Sequence, residues 1–547
     1  MRFKIFLPLI AFLMLVSVCN SQELAYSNYW FAYDTPELNR PVANDSGIYE
    51  GHPEALPLPN DYTFVTYYDS RWGNCYHLID PYGQLVFPDP QPMKADTFSS
   101  YSYNAEIVPD GAGGVFAVWY YGSSGGLLTG TWAQRIDSLG NLLWGESAIH
   151  VSPRADIYTN LSADGQGGLF IPITGCGRTV VHRLNSSGQQ LWDENGVTAC
   201  RHEYQMDHAA VTHDGNGGAY VVWNDYRPPY GGWVGSVWMQ HIDAAGNVTW
   251  SPNGELVQPG NHTYSELYPD GEGGVLIHKV TLNNFVARIN EDAQVLWSID
   301  NISYGAGAHM VQGEPGIYYL GFYHNDLKAQ KLDMEGNTYW PTLGSLEGNV
   351  MAIPSLELSG QTAYCYVDSH FYGLFSVGAY YDEWICAQKM DWNGNRCWGD
   401  EGIYMCHHHD SLFYSTQLYN CVPDENGGIT GIYLVESNSI ERDVYSKHCF
   451  SDGTLGGLKP AKVIPPTRAQ ISSLSEGRVN YEIEKAGMVK IDLYNILGRH
   501  VNTVQNSYQQ PGIHTTHINQ SSLSSGIYFL RLHTPIGSQV AKMVVVR

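Results

Sequence analysis

Short apolar runs bounded by Gly, Asp and Asn clusters fill this chain, a pattern of strands and tight turns rather than of long amphipathic helices. The middle reads strand, DGxGG turn, strand such as VFAVWY (115–120), loop, strand such as WAQRID (132–137), turn, strand. Near the C-terminus RVNYEIEKAG (478–487), MVKIDLYNILGRHV (488–501) and GIYFLRLHT (526–534) alternate apolar with polar residues, as strands with one buried face do. An almost all-β protein is expected.

The middle is periodic. A signature seen most plainly as QRIDSLGNLLW (134–144) and QHIDAAGNVTW (240–250) recurs eight times, its Gly (once Ala) falling at 83, 140, 188, 246, 293, 336, 394 and 453. Four residues after each of the first seven marks stands an aromatic: Phe87, Trp144, Trp192, Trp250, Trp297, Trp340 and Trp398. Three residues before stands Asp80, Asp137, Asn185, Asp243, Asn290, Asp333 or Asp391; the eighth copy has lost both marks. The spacing reads as a hairpin whose Asp or Asn caps the turn and whose Gly takes positive φ, with the aromatic opening the outgoing strand. Upstream lies a second turn, at Asp110, Asp164, Asp214, Asp270 and Asp424, degenerate near Gly313 and Gly360.

Four antiparallel strands per unit make a propeller blade, and blades must stack in a ring to cover both apolar faces. Seven or eight blades fit, eight being preferred, followed by a small immunoglobulin-like β-sandwich. The expected divisions are a signal peptide at 1–21, an N-terminal segment at 22–59 that is a candidate to contribute a blade strand, the propeller at 60–458, a linker at 459–470 and the C-terminal domain at 471–547. Arg2 and Lys4, the apolar run 5–18 and then Cys19, Asn20 and Ser21 have the order of a signal peptide, and that run is shorter than the roughly 20 residues of a membrane helix. No transmembrane segment is expected.

Composition narrows the partners. The net charge is −25, from 54 acidic and 29 basic residues, which repels nucleic acid and anionic lipid. Ten cysteines without a C-x-x-C pair argue against a full disulfide framework, leaving one or two bridges among Cys365 to Cys449 open.

The C-terminal segment carries Val489, Ile491, Leu493, Tyr494, Asn495, Ile496, Leu497, Gly498, Arg499 and Val501, then Gly512 and His514, then Leu523, Ser525, Gly526, Ile527, Tyr528 and Phe529, and closes on Lys542, Met543, Val544, Val545, Val546 and Arg547. In this order they resemble the type A sorting domain of the type IX secretion system. Where family members often open with a Tyr-Pro-Asn-Pro motif, this chain has Ile464, Pro465, Pro466 and Thr467. The resemblance implies a bacterium related to the Bacteroidetes, transport across the outer membrane by the type IX machinery, and an extracellular or cell-surface location.

Candidate chemistry is sparse. The recurring Asp and Trp read as structural, because an active site is built once. The DGxGG carboxylates match no complete calcium loop, so Ca2+ is a minor alternative to turn capping and no other cofactor is expected. Cys406, His407, His408, His409 and Asp410 offer metal-ligand atoms, but neighbours on a strand point to opposite faces. Asp69 with Arg71, and Asp225 with Arg227, read as loop-bracing ion pairs. Loops rich in Tyr and Trp, YYGSSGG (120–126) and DYRPPYGGW (225–233), are where sugar-stacking platforms would stand. No catalytic, cofactor-binding or metal residue is assigned. The leading expectation is a non-enzymatic propeller that binds a glycan or a surface protein; a secreted lyase or glycosidase with its site in the ring's mouth is the alternative, and a structural adhesin or spacer the third.

Overall fold

The computed structural model describes residues 40–45, 48–93, 105–121, 130–154, 159–175, 177–229, 235–260, 265–279, 283–304, 308–324, 326–340, 349–352, 358–379, 382–409, 415–436, 442–456, 470–475, 478–483, 487–495, 500–510, 512–518, 523, 526–534 and 537–545. The expected signal peptide and the linker at 459–469 lie outside them. The chain divides into two compact units, Met1–Gly457 and Leu458–Arg547.

In the first unit the described strands form eight sheets. Blade 1 runs from Glu50–Leu58 to Gln91–Pro92, blade 2 from Glu106–Pro109 to Ile149–Ser152, blade 3 from Ser162–Ala163 to Val197–Arg201 and blade 4 from Met206–His213 to Glu255–Gln258, with Thr159–Asn160 paired in parallel onto Met206–His213 as a fifth strand of the blade 4 sheet. Blade 5 runs from Ser265–Pro269 to Val295–Tyr304, blade 6 from His309–Gln312 to Asn349–Ala352 and blade 7 from Leu358–Val367 to Ile403–His409. Blade 8 has three strands of its own, Ser415–Pro423, Ile429–Glu436 and Arg442–Cys449, and takes its fourth, Arg40–Ala43, from the other end of the unit. That exchange closes an eight-bladed propeller, and among the described residues of this unit no outgoing strand follows Arg442–Cys449. First strands of most neighbouring blades touch one another, which puts them on the inside of the ring.

The repeat residues build the joints between blades. In blade 2 the Asp137 carboxylate accepts the amides of Leu139 and Asn141, and Gly140 sits at φ +83°. The same pair of bonds recurs at Asp80, Asn185, Asp243, Asn290, Asp333 and Asp391. The aromatic does not open the fourth strand except in blade 5: Trp144 stands ahead of Ile149–Ser152 because Gln134 Oε1 accepts its amide, while Gln134 Nε2 donates to Gly145 O. Gln240, Gln330 and Gln388 do the same for Trp250, Trp340 and Trp398. Within the ladder, as in blade 5, or ahead of it, the indoles reach the next blade, where Trp144, Trp192, Trp250 and Trp297 donate Nε1 to a turn carbonyl at Ser186, Ala244, Glu291 and Met334.

The upstream turns are equally saturated. Asp110 accepts the amides of Ala112 and Gly114 and pairs with Arg135; Asp164 pairs likewise with Arg183, Asp214 with His241 and Asp270 with Arg288. A Cβ on Gly114 would meet Ile136 O at 2.2 Å, so the last Gly of DGxGG admits the third strand. In blade 7 the corresponding turn is Asp368 and Ser369, both at positive φ, and not Gly360, which lies within the first strand.

The second unit holds a three-stranded sheet (Gln470–Ser475, Arg478–Ile483, Gly512–His517) and a four-stranded sheet (His500–Gln509, Gly487–Asn495, Gly526–Thr534, Gly537–Val545). Val479, Tyr481 and Ile483 of one share a single core with Val489, Ile491, Leu493, Leu530 and Leu532 of the other. The alternating pattern thus reports one buried face per strand.

Candidate functional site

Strand direction separates the ring into two ends. The turns between first and second strands and between third and fourth strands share one end, and the repeat hydrogen bonds occupy it. The other end carries the starts of the first strands and the links between second and third strands, and apart from the paired Asp69–Arg71 and Asp225–Arg227 the polar groups described there differ from blade to blade.

Between blades 3 and 4, Asp225 closes the second strand Ala219–Asp225. Its carboxylate accepts from His202 Nε2 at 2.9 Å, Trp223 Nε1 at 3.0 Å and Arg227 Nη2 at 2.5 Å. Arg227 also donates to Cys200 Sγ and Asn253 O and lies flat on the Trp238 ring, 3.7 Å from its centroid. Burial pushes the Asp225 carboxyl up, but the bonds from Arg227, Trp223 and His202 outweigh it and hold the group below the usual range. Cys200, His202 and Asp225 offer ligand atoms within 4.8 Å of one another. The guanidinium already bonded to two of the three would oppose a cation, and burial pushes the Cys200 thiol up to about 12, away from the thiolate a metal needs.

Beside it, Asp207 gathers an imidazole and a phenol: His208 Nδ1 lies 2.8 Å from Oδ1, and Tyr226 donates to Oδ2 at 3.1 Å, with Asn224 Nδ2 also on Oδ1. His208 sits at φ +52° on a bulge of the first strand, as His52 does in blade 1. Register makes Gly51 of blade 1 the counterpart of Asp207, so the Asp–His–Tyr group belongs to blade 4. Between blades 5 and 6, Glu266 bridges His278 Nδ1 at 2.8 Å and His309 Nδ1 at 2.9 Å and accepts the Met310 amide. Burial acts to raise its carboxyl, and the two histidines overcome that and hold it well below the usual range.

At the seam of blades 8 and 1, Asp69 binds Arg71 through both oxygens and Arg71 reaches Asp45. Both expected ion pairs, Asp69–Arg71 and Asp225–Arg227, are made. Glu50, 1% exposed, lies beside them with neither oxygen hydrogen-bonded, and burial with the charge of Asp69 pushes its carboxyl up to about 8. Along the inside of the ring, side chains of first strands accept amides of the next blade: Glu54 from Ile107, Glu106 from Leu161 and Gln361 from Leu418. Exposed aromatics at this end include Trp72 and Tyr204, at 52% and 37%.

Of the Cys–His run, Cys406 and His407 have described side chains, and these lie in different surroundings. Cys406 is buried in the core between blades 7 and 8 and the His407 ring lies on Trp384, while the side chains of His408 and His409, and residue 410, fall outside the described residues. Most of YYGSSGG and the end of DYRPPYGGW fall outside them too. Sequence reading found Asp225 and Arg227 but missed Cys200, His202 and Glu266, which no spacing marks.

The chain is thus an eight-bladed propeller with its unrepeated polar chemistry at one end of the ring, followed by a separate β unit. Residues 475–546 match the family described as the secretion system C-terminal sorting domain. That segment is a type IX sorting domain, and it directs the chain to the cell surface or the extracellular space. No helix among the described residues is long and apolar enough to cross a membrane. No curated protein matches the chain. Among solved structures it is similar to polysaccharide lyase PL25, an ulvan lyase (TM-score 0.41, 9% identity, 78% of this chain and 97% of that one). It is also similar to prolyl oligopeptidase B from Galerina marginata (0.38, 10%, 73% and 56%) and to PorZ, a surface component of the type IX system of Porphyromonas gingivalis (0.26, 9%, 90% and 75%).

Proposed function

We propose that the propeller is a non-enzymatic binding module, delivered by its sorting domain, that takes a glycan through the end of the ring where the first strands begin. The observation that carries this is the asymmetry of the ring. One end is taken up by repeat turns, where Tyr82, Tyr339 and Trp392 stand exposed on saturated hairpins, and the other presents Trp72 and Tyr204 beside polar groups that the repeat does not supply, such as Asp207 with His208 and Tyr226. Aromatic rings stack on sugars, and the net charge of −25 favours neutral or basic ligands. Two of the carboxylates described there are already engaged, Asp225 by three donors and Glu266 by two histidines and an amide, and a third, Glu50, is buried away from the surface. Glycoside hydrolysis instead needs two carboxyls facing the substrate, roughly 5 to 9.5 Å apart.

A polysaccharide-active enzyme is the second reading, and one observation favours it. The Asp207–His208–Tyr226 group holds two proton-transfer side chains on a single carboxylate, at a position where blade 1 has Gly51. One experiment separates the two. The purified full chain is incubated with an array of neutral, basic and uronate-containing polysaccharides and followed for hours. Saturable binding that persists and is lost in Trp72→Ala or Tyr204→Ala supports the module. A signal that decays as products accumulate supports the enzyme, and no signal on any polysaccharide overturns both.

A further inference from the structure

Four cysteines share the core between blades 7 and 8: Cys365, Cys406, Cys421 and Cys449. Cys365 lies in the first strand of blade 7 (Leu358–Val367) and Cys421 in the first strand of blade 8 (Ser415–Pro423), strands that run in contact on the inside of the ring. Their sulfurs are 3.1 Å apart, closer than two non-bonded sulfur atoms rest, and both residues are buried. We propose that Cys365 and Cys421 form a disulfide in the exported protein, a covalent staple between two adjacent blades.

Compartment and chemistry agree. The sorting domain takes this chain out of the cytoplasm, and disulfides form and persist in the oxidising spaces beyond it. The Cys365 Sγ–H and Cys421 Sγ–H bonds break, an Sγ–Sγ bond forms, and two protons and two electrons leave. The acceptor is the disulfide of a dithiol oxidoreductase, whose S–S bond opens to two thiols by way of a mixed disulfide. Burial, together with the neighbouring Cys365, pushes the Cys421 thiol far above its ordinary range, and both residues are buried in the closed ring, out of reach of an oxidoreductase. The bond therefore forms while blades 7 and 8 are still docking.

The cross-link joins residues 56 apart in the sequence. A loop of that length restrains the unfolded chain enough to raise the melting temperature by about 5 °C, if a ring of this size unfolds as one unit. The geometry also selects the pair, since 3.1 Å between the sulfurs sets Cys365 directly against Cys421.

The test uses the full chain collected from outside the cell. Free thiols are alkylated before any reductant is added, the protein is digested, and linked peptides are identified by mass spectrometry. A peptide pair joined through Cys365 and Cys421 is expected. Both cysteines alkylated, or Cys421 joined to Cys406 or Cys449 instead, overturns the proposal. Melting the wild type with and without reductant gives an independent reading: a fall of about 5 °C is expected, and none in Cys365→Ala. Equal melting temperatures in the wild type overturn the proposal even if the variant fails to fold.

Discussion

If the repeated glycines are kept for contact with the preceding blade's indole as well as for their backbone angle, two alanine substitutions at nearly the same φ must differ in cost. Gly336 sits at φ +81°, and a Cβ there would lie 2.8 Å from Trp297 Cδ2, within a ring that cannot bend away. Gly271 sits at φ +75° with nothing within 4 Å of the added carbon. Placing a Cβ in the left-handed region costs about 1–2 kcal/mol, partly offset by about 0.4–1 kcal/mol as alanine restricts the unfolded chain. Gly271→Ala should therefore lose about 1 kcal/mol. Gly336→Ala adds overpacking of about 1–3 kcal/mol, and pushing the indole aside endangers the 2.8 Å bond from Trp297 Nε1 to Met334 O, about 1 kcal/mol more. The expected loss is about 3–5 kcal/mol, three to five times the control. Urea unfolding followed by tryptophan fluorescence measures both, provided the slope with denaturant is unchanged between variants. Equal losses would refute the reasoning: the glycine would then serve backbone angle alone, and the indole would not be the joint between blades.

Three further outcomes are expected. Glu50 has its carboxyl raised to about 8, so the folded state keeps a proton that the unfolded state releases above its ordinary value of 4.5; stability is full below that value and falls by up to about 1.4 kcal/mol per pH unit until the folded group ionises, and Glu50→Gln should flatten that fall in melting scans between pH 5 and 8. Glu54, raised to about 7 by burial in spite of the Ile107 amide it accepts, acts in the same direction. Arg227→Ala strips the guanidinium from Asp225 and uncovers Trp238, and should cost about 3 kcal/mol in urea unfolding, whereas Arg71→Ala, which removes a more exposed partner, should cost less. Removing residues 458–547 should leave the propeller inside the outer membrane, seen by fractionation, while the full chain is found outside.

Why the ring was readable and its chemistry less so comes down to repetition. Asp137, Gly140 and Trp144 each solve a local problem that recurs in nearly every blade: capping a turn, reversing the chain and reaching the neighbour. Residues chosen by the same geometry seven or eight times stand out at fixed spacing, so the hairpins and the blade count could be read. The outgoing strand was placed too early because a Gln side chain, not the ladder, takes the Trp amide, and a side-chain acceptor ten residues away leaves no mark in an apolar pattern. The closing strand Arg40–Ala43 has four residues and no turn of its own.

The unrepeated end has no such redundancy. The hydrogen bonds around Asp225 and Arg227 draw on Cys200, His202, Trp223 and Asn253, brought together from two blades by strand order alone. Only the pair Asp225 and Arg227, two residues apart and echoed by Asp69 and Arg71, could be seen in the chain, and it turned out to be the brace of the cluster. Glu266 with His278 and His309 shows the same limit, since its partners lie 12 and 43 residues away on different blades. A ring that spends its repeated residues on joints leaves its single-copy residues free to vary between blades. The side chains that break the repeat at the first-strand end, Asp207, Tyr226 and Glu266 among them, are therefore where differences in ligand between propellers of this build should be sought.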